Sequence, residues 1–173
     1  MDVWTAIRTK RMVREFEPRP LDAEHLERIL DAGRHAGSSK NLQRWDFIVV
    51  EERTTLQRLA SVGRYAGHVA GAAAAIALVT PDPHAPNAPL SIVWDAGLAA
   101  ENMLLAAWDL GVGSCPATVY EQDLARDILG YPMDRFCGYL LSFGYPRDRD
   151  VLSQPPKAGG RRSLDEVVHR GRW

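Results

Sequence analysis

A chain of 173 residues with 46% hydrophobic and 25% charged residues matches the size and composition of one globular domain, 1–173, and can bury a core without disulfide support. Its formal net charge of −1 excludes a global positive field for nucleic acid or an anionic membrane surface, so any basic site must be local. Cys115 and Cys137 form no metal-type or disulfide-type pattern and point to a reducing, cytoplasmic setting.

The N-terminal MDVWTAIRTKR holds no apolar run with a small-residue cleavage site, which argues against a signal peptide. Residues 2–7 read as a short helix, followed by the basic stretch RTKRMVREF and the punctuation of Pro18 and Pro20. A helix starts near Asp22, an N-cap residue type, and carries Leu26, Ile29, Leu30 and Gly33 on one face. Gly37, Ser38, Ser39 and Asn41 break that period and make a loop. Phe47 to Val50 is a compact apolar run and reads as a buried strand. Thr54 and Gln57 have capping-box spacing for the next short helix.

Ala72 to Val79 is apolar and ends at Pro81; its second half reads as a strand. Residues 81–90 hold four prolines and form a loop with polyproline character. A helix follows from Ser91 to Leu110 and stops at Gly111. It is apolar almost all round, through Trp94, Leu98, Met103, Leu104, Leu105 and Trp108, and so reads as a central buried helix. The stretch Ile92 to Val112 contains Asp95, Glu101, Asn102 and Asp109, which argues against a membrane span.

GVGSCPATVY reads as a strand, Gln122 to Leu129 as a helix closed by Gly130, and Tyr139 to Phe143 as a strand. A polar linker over 147–160 leads to Ser163 and Glu166, a capping box for a last short helix. Helices and strands interleave without a clean βαβ alternation, which predicts an α+β fold of three layers.

Two basic segments stand out in an otherwise neutral chain. Arg8, Lys10, Arg11 and Arg14 crowd one segment, and Arg161 and Arg162, with Lys157 upstream, form the other. Arginine forks match a phosphate bidentately, so a small anionic ligand is one reading and a pair of solvated faces is the other. The loop HAGSSKNLQRW offers small residues, hydroxyls and amides that suit the approach of a planar ring, and serves equally as a plain helix-to-strand connection. No nucleophile–base arrangement, metal-ligand spacing or phosphate-binding glycine loop is present. Chemistry carried by a cofactor accounts for such an enzyme.

These segments resemble, in order and spacing, the FMN-dependent nitroreductase family along nearly the whole chain. RTKRMVREF is similar to that family's Arg-Arg-Ser-x-Arg-x-Phe signature, and HAGSSKNLQRWDFIVV to its Ala-Pro-Ser-Ser-x-Asn-x-Gln-Pro-Trp-x-Phe segment. DAGLAAENMLLAAWDLGVGSC, FGYP and RRSLDEVVHRGRW also match. The resemblance implies a mixed or antiparallel central sheet flanked by helices and a homodimer with two FMN molecules at its interface. It further implies that the C-terminal segment is exchanged between subunits, which brings Arg161 or Arg162 to the neighbour's phosphate site. Lys10, Arg11 and Arg14 are implied at the phosphate and the flavin edge. Gly37, Ser38, Ser39 and Asn41 are implied to contact flavin from the partner subunit. Pro116, Ala117, Thr118 and Val119 are implied to lie against the ring, with a backbone amide near N5.

The chain departs from the family pattern at Lys10, Met12, Gly37 and Arg44, which replace Arg, Ser and two prolines. Lys10 keeps charge but not bidentate geometry, and Met12 has no hydroxyl, so phosphate contacts would shift to Arg8 or Arg11. The implied activity is ping-pong transfer of two electrons from NAD(P)H to a small organic acceptor such as a nitroaromatic or quinone, with the flavin carrying the chemistry and no metal. Alternatives are another reaction on the same fold, such as dehalogenation or dehydrogenation, and a non-enzymatic flavin- or nucleotide-binding module. No nucleic-acid or membrane partner is expected.

Overall fold

The computed structural model of the protein describes residues 1–155 and 160–173. Helix α1 spans Val3–Thr9 and is capped by Asp2, whose carboxylate accepts from the Thr5 N–H at 3.0 Å. Helix α2 spans Ala23–Arg34, and a single 3-10 turn, Ser39–Asn41, precedes strand β1, Asp46–Val50. Helix α3, Arg53–Leu59, and a 3-10 segment, Ala66–Gly71, lead to β2, Ala74–Pro81. Helix α4 spans Ser91–Asp109, β3 Gly113–Thr118, α5 Gln122–Leu129, β4 Arg135–Gly144 and α6 Leu164–Val167.

The four strands pair antiparallel in the order β1-β2-β4-β3, so the expected antiparallel sheet is the one observed. Side chains alternate across a strand, and β2 is buried on both faces. Ala75, Ala77 and Val79 pack on Leu56 and Leu59 of α3, Val69 and Ala125 of α5. Ala74, Ile76 and Leu78 pack on Ile29 of α2 and on Met103, Leu104 and Ala107 of α4. The result is the expected three-layer α+β arrangement, with the sheet in the middle.

A bulge interrupts the β2–β4 ladder, where Leu78 pairs with Tyr139 but Val79 with Cys137. Gly138 is the extra residue, and the bulge turns Cys137 into the α3 layer while Tyr139 keeps its place on the α4 layer. This bulge hides the true start of β4, which lies at Arg135 rather than Tyr139. Strand β2 likewise runs on to Pro81; its proline sits at the strand end, where no ladder donor is needed.

Two further expectations are corrected. Helix α3 is capped by Glu52, whose carboxylate accepts from the Thr54 and Thr55 N–H groups, and Thr54 and Gln57 form no capping box. The cause is local competition for the same orphan N–H groups, which the longer carboxylate reaches first. Helix α4 is not buried all round. Ile92, Asp95, Ala99, Met103 and Ala107 face inward, but Val93 and Trp94 are 56% and 71% exposed, and Leu98 is 38% exposed.

Where α1 ends, the chain crosses the edge of the sheet. Met12 bridges Ser114, then Val13 and Phe16 lie on Gly113 and Gly144. A Cβ on either glycine would stand 2.7 Å or 2.8 Å from those side chains, so the crossing depends on their absence. This packing lays the backbone after the basic residues along the β3 edge.

Candidate functional site

Strand β3 is an edge strand. The Val13 N–H donates to the Ser114 carbonyl at 2.9 Å, so Ser114 turns its backbone groups away from β4. Backbone direction alternates, hence Pro116 and Thr118 also face the open edge. Proline has no N–H, and the Val119 N–H is taken by the Gly138 carbonyl at 3.1 Å. The Thr118 N–H is therefore the backbone donor that the 116–119 segment offers to a ligand.

The end of β3 is held from two sides. Tyr120 and Glu121 donate their N–H groups to the Val62 carbonyl at 2.8 Å and 3.0 Å, which draws Gly63 against the Thr118 carbonyl. The Gln122 amide donates to the Cys137 carbonyl at 2.8 Å and the Val119 carbonyl at 3.2 Å, and accepts from the Cys137 N–H at 3.3 Å. A side-chain amide thus extends the ladder by one rung and fixes the peptide after Thr118.

On the α3 side of β3, Ser142 donates its hydroxyl proton to the Cys115 carbonyl at 3.1 Å. It has no second proton, so His68 must donate from Nδ1, at 2.8 Å. That tautomer leaves Nε2 as a bare acceptor, and Nε2 is buried with no partner among the described residues. Burial holds the His68 pKa below its ordinary 6.5, and the nearby Arg14 charge lowers it further. Burial pushes the Cys115 thiol up, with Arg14 opposing, so Cys115 is no thiolate nucleophile. Burial alone raises Cys137 to about 12.

These shifts fix a pH response. Unfolded His68 takes its proton near 6.5 and folded His68 resists it, so stability falls as pH drops below 6.5. Glu17, beside Arg149 and Arg19, and Glu52, bonded to Thr54 and Thr55, are held at about 2. Their contributions persist until pH nears the ordinary 4.5. Between these limits, urea midpoints should decline with falling pH, and a His68→Asn variant should lose most of that slope. An unchanged slope would remove His68 from the account.

The basic cluster disperses. The Lys10 ammonium is 2.7 Å from the Glu101 carboxylate of α4. Arg11 donates to the Gln154 carbonyl at 2.9 Å and to the Pro155 carbonyl, pinning the start of the C-terminal arm. Arg8 lies over the Trp4 ring, 5.9 Å from its centre. Arg14 makes no hydrogen bond or ion pair among the described residues and sits beside His68 and Cys115. Met12, 43% exposed, offers no donor. On the α4 side of β3 a cavity of about 280 Å³ is lined by Thr80, Gly97, Pro116, Phe136 and Tyr139, with Glu101 at its wall. Ala117 is buried and Val119 closes the segment.

The loop of Gly37, Ser38, Ser39 and Asn41 is not joined to this edge by any hydrogen bond or ion pair among the described residues. It leans on its own α4, where the Ser39 N–H donates to buried Asp95 at 3.0 Å. The Gln43 N–H donates to the Ser38 hydroxyl at 3.0 Å, and Lys40, Asn41 and Gln43 hold positive φ. Arg161 and Arg162 are exposed, and Arg162 donates to the Glu166 carbonyl, beside the expected Ser163–Glu166 capping box. Lys157 lies outside the described residues. Exposed apolar residues include Val3, Trp4 and Ile7 on α1, Val93, Trp94 and Leu98 on α4, and Leu164 and Trp173 on the arm.

Glu101, Gly63, His68 and Gln122 are site residues that the sequence reading did not single out. Each owes its role to a long-range neighbour, and none carries a local signal beyond its residue type.

A model of the Nitroreductase family matches residues 7–76 and 61–145. Over 172 residues, 96% of each chain, the sequence is 34% identical to an Archaeoglobus fulgidus protein provisionally named NADH dehydrogenase/NAD(P)H nitroreductase. It is 26% identical to the NADPH-flavin oxidoreductase of Vibrio harveyi over 176 residues, 94% of this chain and 71% of the relative. The solved structure of nitroreductase A from Vibrio parahaemolyticus is similar with a TM-score of 0.86 and 26% identity, over 100% of this chain and 77% of that one.

Proposed function

Since the chain belongs to the Nitroreductase family and is an NAD(P)H-dependent oxidoreductase, we propose that it works as a homodimer with one FMN per subunit along the open edge of β3. The acceptor is a small organic molecule of the nitroaromatic or quinone class. The observation that carries this reading is the edge itself: an outward Thr118 N–H, a nearby Arg14 with no hydrogen-bond or ion-pair partner among the described residues, and an apolar cavity beside Pro116. A flavin ring needs those three things: a donor at N5, a cation near its pyrimidine and a flat apolar wall.

When bound, FMN would supply the two-electron chemistry that links NAD(P)H oxidation to reduction of the acceptor. The chain's own residues hold and polarise. Thr118 donates its N–H to the ring edge, with Pro116, Ala117 and Val119 forming the wall. Arg14 stabilises negative charge on the reduced ring. Lys10 receives the phosphate, and Arg161 or Arg162 completes its cradle from the arm of the other subunit. Gly37, Ser38, Ser39 and Asn41 reach the partner's ring across the α4 seam. The exposed Val93, Trp94 and Leu98 supply that seam, and α6 with Trp173 supplies the exchanged contact. Two buried, unpaired thiols suit the cytoplasm.

The test is steady-state oxidation of NADH and of NADPH with a quinone and with a nitroaromatic. Turnover with either pair supports the reading. Purified FMN-loaded protein that turns over with no acceptor would contradict it.

A further inference from the structure

In the flavin reading above Lys10 receives the phosphate, yet its charge is already matched. Its ammonium stands 2.7 Å from Glu101, and the Lys10 side chain is only 11% exposed while Glu101 is 49% exposed. The backbone of Lys10 is fixed, because its N–H donates to the Ala6 carbonyl at the end of α1. Two other cations of the segment are engaged elsewhere, and Arg14 is assigned to the ring in the flavin reading above. Arg11 is held by the Gln154 and Pro155 carbonyls, and Arg8 lies over Trp4. A phosphate that reaches Lys10 must therefore share its ammonium with a carboxylate of like charge.

Resting on the flavin reading above, we propose that Glu101 is a counter-ion that sets how tightly the protein holds a phosphorylated flavin. Glu101 neutralises Lys10. On binding, the phosphate competes for the ammonium, and the carboxylate turns along the wall of the cavity it already lines. The opposition acts on phosphate charge and not on the ring, so it separates FMN from riboflavin. A half-exposed pair of this kind is modest in energy, and the residual like-charge repulsion adds to it.

The experiment is an equilibrium titration of the full-length apoprotein with FMN and with riboflavin, read by quenching of flavin fluorescence. Glu101→Gln should bind FMN roughly three- to tenfold more tightly and riboflavin unchanged. Lys10→Gln should move FMN affinity the other way and again spare riboflavin. An FMN affinity unchanged in Glu101→Gln, or shifted equally for riboflavin, would overturn the counter-ion role and leave the flavin reading standing. A parent protein that binds neither flavin would overturn both.

Discussion

A Trp94→Asp, Leu98→Asp double variant should elute as a folded monomer that retains no FMN. Trp94 is 71% exposed and Leu98 38% exposed, one turn apart on α4, with Val93 beside them. Large apolar residues on one helical stripe without cover mark an interface. Removing an anchor of this type costs about 2 kcal/mol or more, and in a two-fold dimer each substitution counts twice. Two carboxylates at the seam add repulsion. The neighbouring Ile92, Asp95, Ala99 and Met103 remain inward, so the helix keeps its own packing. Light scattering gives the mass, circular dichroism the fold, and absorbance the flavin. A dimer that survives the double change would place the interface elsewhere.

Gly63→Ala should lower stability and FMN affinity together. An added Cβ would stand 2.1 Å from the Thr118 carbonyl oxygen and 3.3 Å from its carbon. Those are backbone atoms of an edge strand and cannot swing aside as a side chain does. Relief must come from moving the 62–63 loop or the end of β3. The first breaks the bonds from Tyr120 and Glu121 to Val62; the second displaces the Thr118 N–H. Overpacking of this kind costs about 1–3 kcal/mol in stability. Displacing the N–H also weakens its hydrogen bond to the flavin, which lowers FMN affinity. Urea unfolding and an FMN titration read the two effects separately. A variant as stable and as tight as the parent would show that Gly63 and Thr118 are not in forced contact.

The elements most legible in the sequence were those with local punctuation. Gly130 has φ of 73° and closes α5, as a C-terminal glycine should. Ser163 and Glu166 form their capping box, and α4 begins at Ser91, after the prolines. Features set by distant neighbours were not legible. Nothing local shows that Gly138 is a bulge, because the bulge exists only in register with β2. An apolar helix reads as buried whether its cover is the same chain or a second one, so the exposed face of α4 was taken for core.

The site divides along the same line. The family resemblance implies the 116–119 segment and the basic stretch at one flavin, and Met12 bridges Ser114, two residues ahead of that segment. It did not foresee how the cations would be apportioned. Residues one to four positions apart at a helix end point in different directions: Lys10 to α4, Arg11 to the arm and Arg14 to the α3 layer. The roles of Gln122 and His68 arise from bonds to β4, across 15 and 74 residues of chain.

We propose a dimer whose edge strands each hold a flavin that NAD(P)H reduces. The most direct measurement is an anaerobic titration of the purified, FMN-reconstituted protein with NADH and NADPH, following the oxidised-flavin absorbance. The account predicts one FMN per chain, eluting with the dimer, and bleaching complete at about one equivalent of nicotinamide per flavin. A protein that takes up no FMN, or a bound flavin whose absorbance neither nicotinamide changes, would contradict it.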